Sequence, residues 1–208
     1  VPFGAETARK GDWVMGPGDA LFNTMKAELG ALPIVAEDLG VITPEVEALR
    51  DRQQFPGMRV LQFEVGNDSF SIESIGSNSV CYTGTHDNDT TVGWFTGSSD
   101  DNRSPEEIEH TRRVVLANTG GSAETISQDL IRLAFSSEAV MAIAPMQDYL
   151  GLGSESRFNR PGTSEDNWRW RLSFDQLSPS LKSSVRDMVV AGRRAPQGQR
   201  ELAGLLGL

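Results

Sequence analysis

The sequence predicts a parallel α/β fold, and three observations carry that expectation. Four short runs rich in apolar residues, at 33–40, 58–65, 80–83 and 140–146, have strand character. Stretches with apolar residues at helical spacing lie between them, and strand-helix alternation implies parallel strands joined by right-handed crossovers. The run Val140-Met141-Ala142-Ile143-Ala144-Pro145-Met146 is apolar without alternation, as expected of a strand buried on both faces. Four such units fit either half of a β/α barrel or a small open doubly wound sheet. Neither a Gly-x-Gly-x-x-Gly run nor a Walker-type loop occurs, which lowers the nucleotide-binding versions of the open sheet.

Composition narrows the class. A chain of 208 residues is long enough for a substantial core. With 38% hydrophobic and 23% charged residues, it reads as globular rather than disordered. The net charge of −10 argues against a nucleic-acid partner, because phosphate contacts need Lys and Arg. Cys81 is the single cysteine, so an internal disulfide is excluded and a reducing compartment expected. No apolar run approaches the roughly 20 residues of a membrane span, so no membrane partner is expected. The chain opens on Val1 and Pro2 without a targeting segment, and the expectation is a fragment whose true start lies upstream.

Taken in order, residues 1–17 are rich in Gly and Pro and read as loop. Leu21, Phe22, Met25 and Leu29 fall on one face of a helix over Asp19–Leu29, with Asp19 as cap and Gly30 as stop. Residues 33–40 form the first expected strand, ending in Glu37 and Asp38. Thr43-Pro44-Glu45 opens a helix that fades near Gln53, with Val46 and Leu49 facing inward. Residues 58–65 are a second strand, in which Gln62 and Glu64 are out of place if both faces are buried. Residues 66–79 read as loop, and residues 80–83 as the third strand. After a polar loop at 98–103, Ser104-Pro105-Glu106-Glu107 is a capping box. It opens a helix with Ile108, Val115 and Leu116 on its apolar stripe. Ser122 is expected to cap the next helix, carrying Ile126, Leu130, Leu133 and Ala134. The fourth strand at 140–146 contains Pro145, which suits a central ladder poorly. Residues 147–167 read as irregular. A helix from Asp175 to Val190, with Ser178 and Pro179 at its start, precedes a short last helix around Leu202, Leu205 and Leu206.

The stretch around which the chain is organised follows the third strand. Thr83-Gly84-Thr85 leaves the sheet and delivers His86, Asp87, Asn88 and Asp89 in a row. Polar residues gather at the other strand ends as well: Glu37 and Asp38, Gln62 and Glu64, Gln147 and Asp148. Acids from several strand ends converging on one rim is the site pattern of β/α enzymes. For Asp38 or Asp148 taken singly, helix capping is the better reading. Three classes of chemistry can use the set. Paired carboxyls can transfer glycosyl groups. His-Asp-Asn-Asp offers ligands for a metal, although His86 and His110 are the only two histidines and His110 falls in a surface helix. A non-catalytic module could stack sugars on Trp13, Trp94, Trp168, Trp170 or Tyr149, with core packing the better reading for Trp168 and Trp170.

The order of these motifs resembles the 4-α-glucanotransferases, also called amylomaltases. The resemblance rests on Ala36-Glu37-Asp38-Leu39-Gly40, Val41-Ile42-Thr43-Pro44-Glu45-Val46, Pro56-Gly57-Met58-Arg59-Val60-Leu61-Gln62-Phe63 and Tyr82-Thr83-Gly84-Thr85-His86-Asp87-Asn88-Asp89-Thr90-Thr91. It continues through Gln147-Asp148-Tyr149-Leu150-Gly151-Leu152-Gly153, Arg157-Phe158-Asn159-Arg160-Pro161-Gly162-Thr163 and Asn167-Trp168-Arg169-Trp170-Arg171. It implies the C-terminal half of a TIM (β/α)8 barrel over residues 1–175, with C-terminal helices over 176–208 packing on it. It further implies retaining transfer of α-1,4-glucan segments, with Glu37 as general acid/base and Asp87 as the transition-state-stabilising carboxylate. His86, Phe63 and Asn159 match sugar-contacting positions, while Asn67 stands where the family often has an acid.

Those roles make physical demands. Apolar neighbours such as Ile34 and Val35 would favour the protonated form of Glu37. Asp87 must stay ionised to stabilise positive charge at the anomeric carbon. The family's nucleophile lies in an Arg-x-Asp tripeptide, which occurs nowhere in these 208 residues. The expectation is therefore a fragment lacking the nucleophile, inactive alone, whose partners are malto-oligosaccharides, α-1,4-glucans and the missing N-terminal half. No cofactor or metal is expected, and the location implied is the cytoplasm or the plastid stroma. A related α-glucan hydrolase and an inert glucan-binding fragment are the alternatives.

Overall fold

The computed structural model describes residues 1–98 and 101–196, so the expected helix around Leu202 lies outside the described residues. The chain divides into two compact units, Val1–Pro56 and the remainder from Gly57.

In the first unit, α1 (Asp19–Leu29) and α2 (Pro44–Gln53) have the boundaries their end residues predict. Gly18 occupies the cap position and Asp19 becomes the first helical residue. Its carboxylate accepts from Gln53 Nε2 at 2.8 Å and Arg52 Nη2 at 3.0 Å. Those bonds, Gln53 foremost, hold the Asp19 carboxyl below its usual range and tie the start of α1 to the end of α2. Phe22 meets Phe55 edge-on at 5.1 Å beneath Lys26. Val46, expected to face inward, is exposed.

Residues 33–40 do not form the expected first strand. The segment is extended but joins no ladder, and its one long-range main-chain bond runs from Ala36 N–H to the Pro56 carbonyl at 2.8 Å. A ladder needs a bond at alternate residues along a neighbour, and one bond cannot supply that.

The second unit runs β1 (Gly57–Val60), α3 (Leu61–Glu64), β2 (Ser79–Tyr82), α4 (Thr91–Thr96), α5 (Pro105–Thr119), α6 (Ile126–Ser136), β3 (Met141–Ile143), α7 (Met146–Tyr149) and α8 (Pro179–Ala191). Its sheet has three strands in the order β1-β2-β3, all parallel, with Met58 opposite Val80 and Val80 opposite Met141. The parallel pairing is as expected, while the count differs from the four strands read from the sequence.

Two strands are shorter than their apolar runs suggest. β1 gives way to a helical turn at Leu61 because Gln62 and Glu64 need polar partners. As strand residues they would share one face. The turn lets buried Gln62 donate to the Asp89 carbonyl at 3.0 Å and brings Glu64 back to Arg59 Nε at 2.8 Å. β3 ends before Pro145, which has no N–H to give a ladder and instead caps α7. Val140, Met141 and Ile143 are exposed, so burial on both faces is not what this sheet provides for β3.

The core gathers Leu61, Val65 and Cys81 from the sheet side, Val115 from α5, Met188 from α8, and Ile126, Leu130, Ile131 and Ala134 from α6. α6 packs against α4, α5, α7 and α8, which is why it buries Ile126, Ser127, Leu130, Ile131, Ala134 and Phe135. Ser104 and Glu107 form the reciprocal capping box at the start of α5, and Ser178 accepts the Leu181 N–H at the start of α8. Thr125, not Ser122, takes the cap position of α6. Arg194 closes the unit by donating to the carbonyls of Phe135, Ser137 and Ala139. Among the described residues no helix is long and apolar enough to cross a membrane.

Candidate functional site

The loop after β2 is shaped by its own side chains. Asn88 Oδ1 accepts the Thr85 N–H at 2.9 Å and the Thr85 hydroxyl at 2.8 Å, and the Asp87 N–H donates to Thr85 Oγ1 at 3.2 Å. This is the short-range bonding that Asn, Asp and Thr favour in turns. It occupies Asn88 Oδ1 and the Thr85 hydroxyl and leaves His86 and Asp87 exposed.

Residues far along the chain then meet Asp87. Asn159 Nδ2 donates to Asp87 Oδ1 at 2.6 Å, and His86 Nε2 lies 3.4 Å from the same oxygen. Arg157 braces the pair by donating to the Asp87 carbonyl at 2.7 Å and the Asn159 carbonyl at 2.9 Å. The Asp87 side chain remains half exposed. An oriented carboxylate with an open flank can stabilise positive charge on a bound group.

An aromatic row lies alongside. The His86 ring is 5.1 Å from Trp168, Trp168 is 6.1 Å from Phe158, and Phe158 is 5.8 Å from Trp170. Trp168 was expected to pack in the core; it is 52% exposed and has a left-handed backbone at φ 62. That conformation costs a bulky residue on the order of 1–3 kcal/mol. The bond from Trp168 N–H to the Phe158 carbonyl, 2.7 Å, helps hold it. An exposed indole face beside an oriented carboxylate suits a sugar ring, which is apolar on its C–H faces and polar at its edge. Arg157 also lines an open hollow of about 570 Å³ with Ser154, Glu155, Arg160, Thr163 and Asp166.

The remaining acids and amides at the strand ends are occupied elsewhere. Asp89 accepts from its neighbour Thr90 N–H at 2.8 Å and from Ser154 Oγ at 2.6 Å. Gly93 packs there, where a Cβ would overlap both Ser154 Oγ and Asp89 Oδ1. Asp148 is buried and accepts from Thr83 Oγ1 at 2.7 Å, Thr91 Oγ1 at 2.8 Å and Thr91 N–H at 2.8 Å. Burial pushes its carboxyl up, partly offset by those donors. Gln147 is buried beside it and donates to the Ser156 carbonyl at 3.1 Å. Phe63 stands on α3 and is exposed. Asn67 bonds back to the Glu64 carbonyl at 3.0 Å.

In the first unit, Asp38 is drawn to Arg50 and Glu37 faces outward. Of the two apolar neighbours named for Glu37, Val35 is exposed and Ile34 half-buried. Among the described residues no group of three or more His, Cys, Asp or Glu is placed to hold a metal ion. Sequence reasoning passed over Arg157 as a support of Asp87; its two residues' spacing from Asn159 was the available signal.

Parallel strands, with a carboxylate, an imidazole and an amide in the loops that follow them, define an α/β protein that carries its polar cluster at the strands' carboxyl ends. Residues 1–177 match the family model for 4-alpha-glucanotransferase. The chain belongs to that family. It is 44% identical over 197 residues to a 4-alpha-glucanotransferase of Streptococcus pneumoniae, covering 93% of this chain and 38% of that protein. It is 50% identical over 190 residues to one from Synechocystis, covering 89% and 36%. Among solved structures it resembles an amylomaltase from Streptococcus agalactiae in complex with acarbose, with a TM-score of 0.80 and 31% identity over 92% of this chain and 38% of that one. The chain thus spans less than two-fifths of the length of these relatives.

Proposed function

We propose that the protein to which this chain belongs is a 4-α-glucanotransferase that moves α-1,4-glucan segments between malto-oligosaccharides with retention of configuration. The observation that carries this reading is the Asp87 carboxylate, oriented by Asn159 and flanked by His86 beside an exposed tryptophan, within a chain of this family. The acarbose complex of the solved relative supports a carbohydrate ligand. Asp87 would stabilise positive charge at the anomeric carbon. Glu37 would donate a proton to the leaving oxygen and later take one from the acceptor hydroxyl. His86, Asn159 and Phe63 would contact sugar hydroxyls and faces.

The covalent step of a retaining reaction needs a carboxylate nucleophile. The Arg-x-Asp tripeptide of the resemblance is absent from these 208 residues, so turnover is proposed for the whole enzyme and not for this chain alone. On this reading residues 1–175 belong to a β/α barrel and residues 176–208 to helices packed on it. The open edge of β3, with Met141 and Ile143 exposed, supports further pairing there.

The test is incubation of the full-length protein with maltotriose. Glucose together with longer malto-oligosaccharides is the expected product pattern. New reducing ends in proportion to bonds cleaved, with no chain growth, would make it a hydrolase, and no change in the sugar would make it a binding protein.

A further inference from the structure

Asp148 is more than a helix cap. A carboxylate serving only α4 would need to accept the Thr91 N–H alone. Asp148 uses Oδ1 for that bond at 2.8 Å, while Oδ2 takes the hydroxyls of Thr83 at 2.7 Å and Thr91 at 2.8 Å. Thr83 is the residue at which the chain leaves β2, and Thr91 is the first residue of α4. Everything between them, residues 84–90, is the loop that carries His86 and Asp87. Asp148, Thr83 and Thr91 are all buried, at 1%, 0% and 0% exposure.

The main chain that carries this carboxylate is itself held in place. Ser127 Oγ of α6 donates to the Asp148 carbonyl at 2.5 Å, and the Asp148 N–H donates to the Pro145 carbonyl at 3.0 Å. The same post-β3 segment also reaches the tip of the loop, because Asn159 bonds Asp87 and Gln147 fixes the intervening backbone at Ser156. The loop is therefore gripped at its base by Asp148 and at its tip by Asn159.

We propose that Asp148 is a positioning residue for Asp87, one buried carboxylate joining both ends of the loop that aims the charge-stabilising group. The inference rests on the function proposed above. It predicts that loosening the base disturbs the chemical step more than sugar binding, because small displacements of an oriented group weaken transition-state stabilisation first.

The test uses the full-length enzyme with maltotriose. Asp148→Asn keeps the shape and one acceptor for the Thr91 N–H. Thr83→Val and Thr91→Val each remove a single hydroxyl donor. Each variant is expected to lower kcat roughly 10- to 100-fold with KM within about threefold, and to speed amide hydrogen exchange at residues 85–90 ahead of the sheet. A fall in Tm with kcat per folded molecule unchanged and no faster exchange in the loop would overturn the proposal. Should Asp148→Asn fail to fold, the two valine variants decide the matter by the same readouts. If the wild-type enzyme transfers no glucan, the functional reading falls, while loop exchange still tells whether Asp148 holds the loop.

Discussion

Asn159 Nδ2 donates to Asp87 Oδ1 at 2.6 Å across 72 residues of chain. The amide orients the carboxylate, where a second carboxylate would repel it. Asn159→Ala is therefore expected to lower kcat of the full-length enzyme about 10-fold or more, through loss of orientation. Asn159→Asp should be worse at neutral pH and recover toward the alanine variant in acid, because like charges so close resist joint ionisation. Steady-state kinetics against pH check this, and an aspartate variant as active as wild type at pH 7 would count against the arrangement.

The two proposed acid roles separate kinetically. Glu37→Gln keeps the shape but not the proton, so turnover should vanish while glucan binding persists. Asp87→Asn should depress kcat far more than affinity, since its charge matters most in the transition state. Calorimetric titration of malto-oligosaccharide alongside kinetics measures both, and equal losses in binding and turnover would refute the Asp87 role.

Trp168 presents an exposed face next to His86. Stacking contributes on the order of 0.5–1.5 kcal/mol beyond buried area. Trp168→Ala should thus raise KM roughly 3- to 10-fold, and Trp168→Phe should recover much of it. Unchanged KM in both variants would remove the indole from the sugar path.

Cys81 gives a prediction independent of function. It is fully buried in β2, and burial pushes its thiol up to about 11. Only the thiolate reacts readily, so a thiol reagent at mildly alkaline pH should leave the native protein unlabelled and modify it once denaturant unfolds the second unit. Prompt stoichiometric labelling under native conditions would show that this part of the core opens easily.

Much of the local structure was legible because its causes are local. The Gly-flanked amphipathic stretch at Asp19–Leu29, the Thr43-Pro44 start of α2, the Ser104–Glu107 box and the Ser178 cap each act within a turn of helix. The strands were less legible. Residues 33–40 have strand-like residues without a ladder, and β1 and β3 stop where Gln62 and Pro145 intervene. A strand exists only by virtue of its neighbour, which residue preference cannot supply.

The sequence by itself determined the parallel α/β character, the starts of α2 and α5, and a motif series similar to one family's. Only the tertiary structure decided how the polar residues at the strand ends divide. Asp148 and Asp89 turn inward to hold backbone and hydroxyl donors, while Asp87 is left half open between His86 and Asn159. The physical reason is that a carboxylate's role depends on which donors reach it, and here those donors come from segments up to 72 residues away.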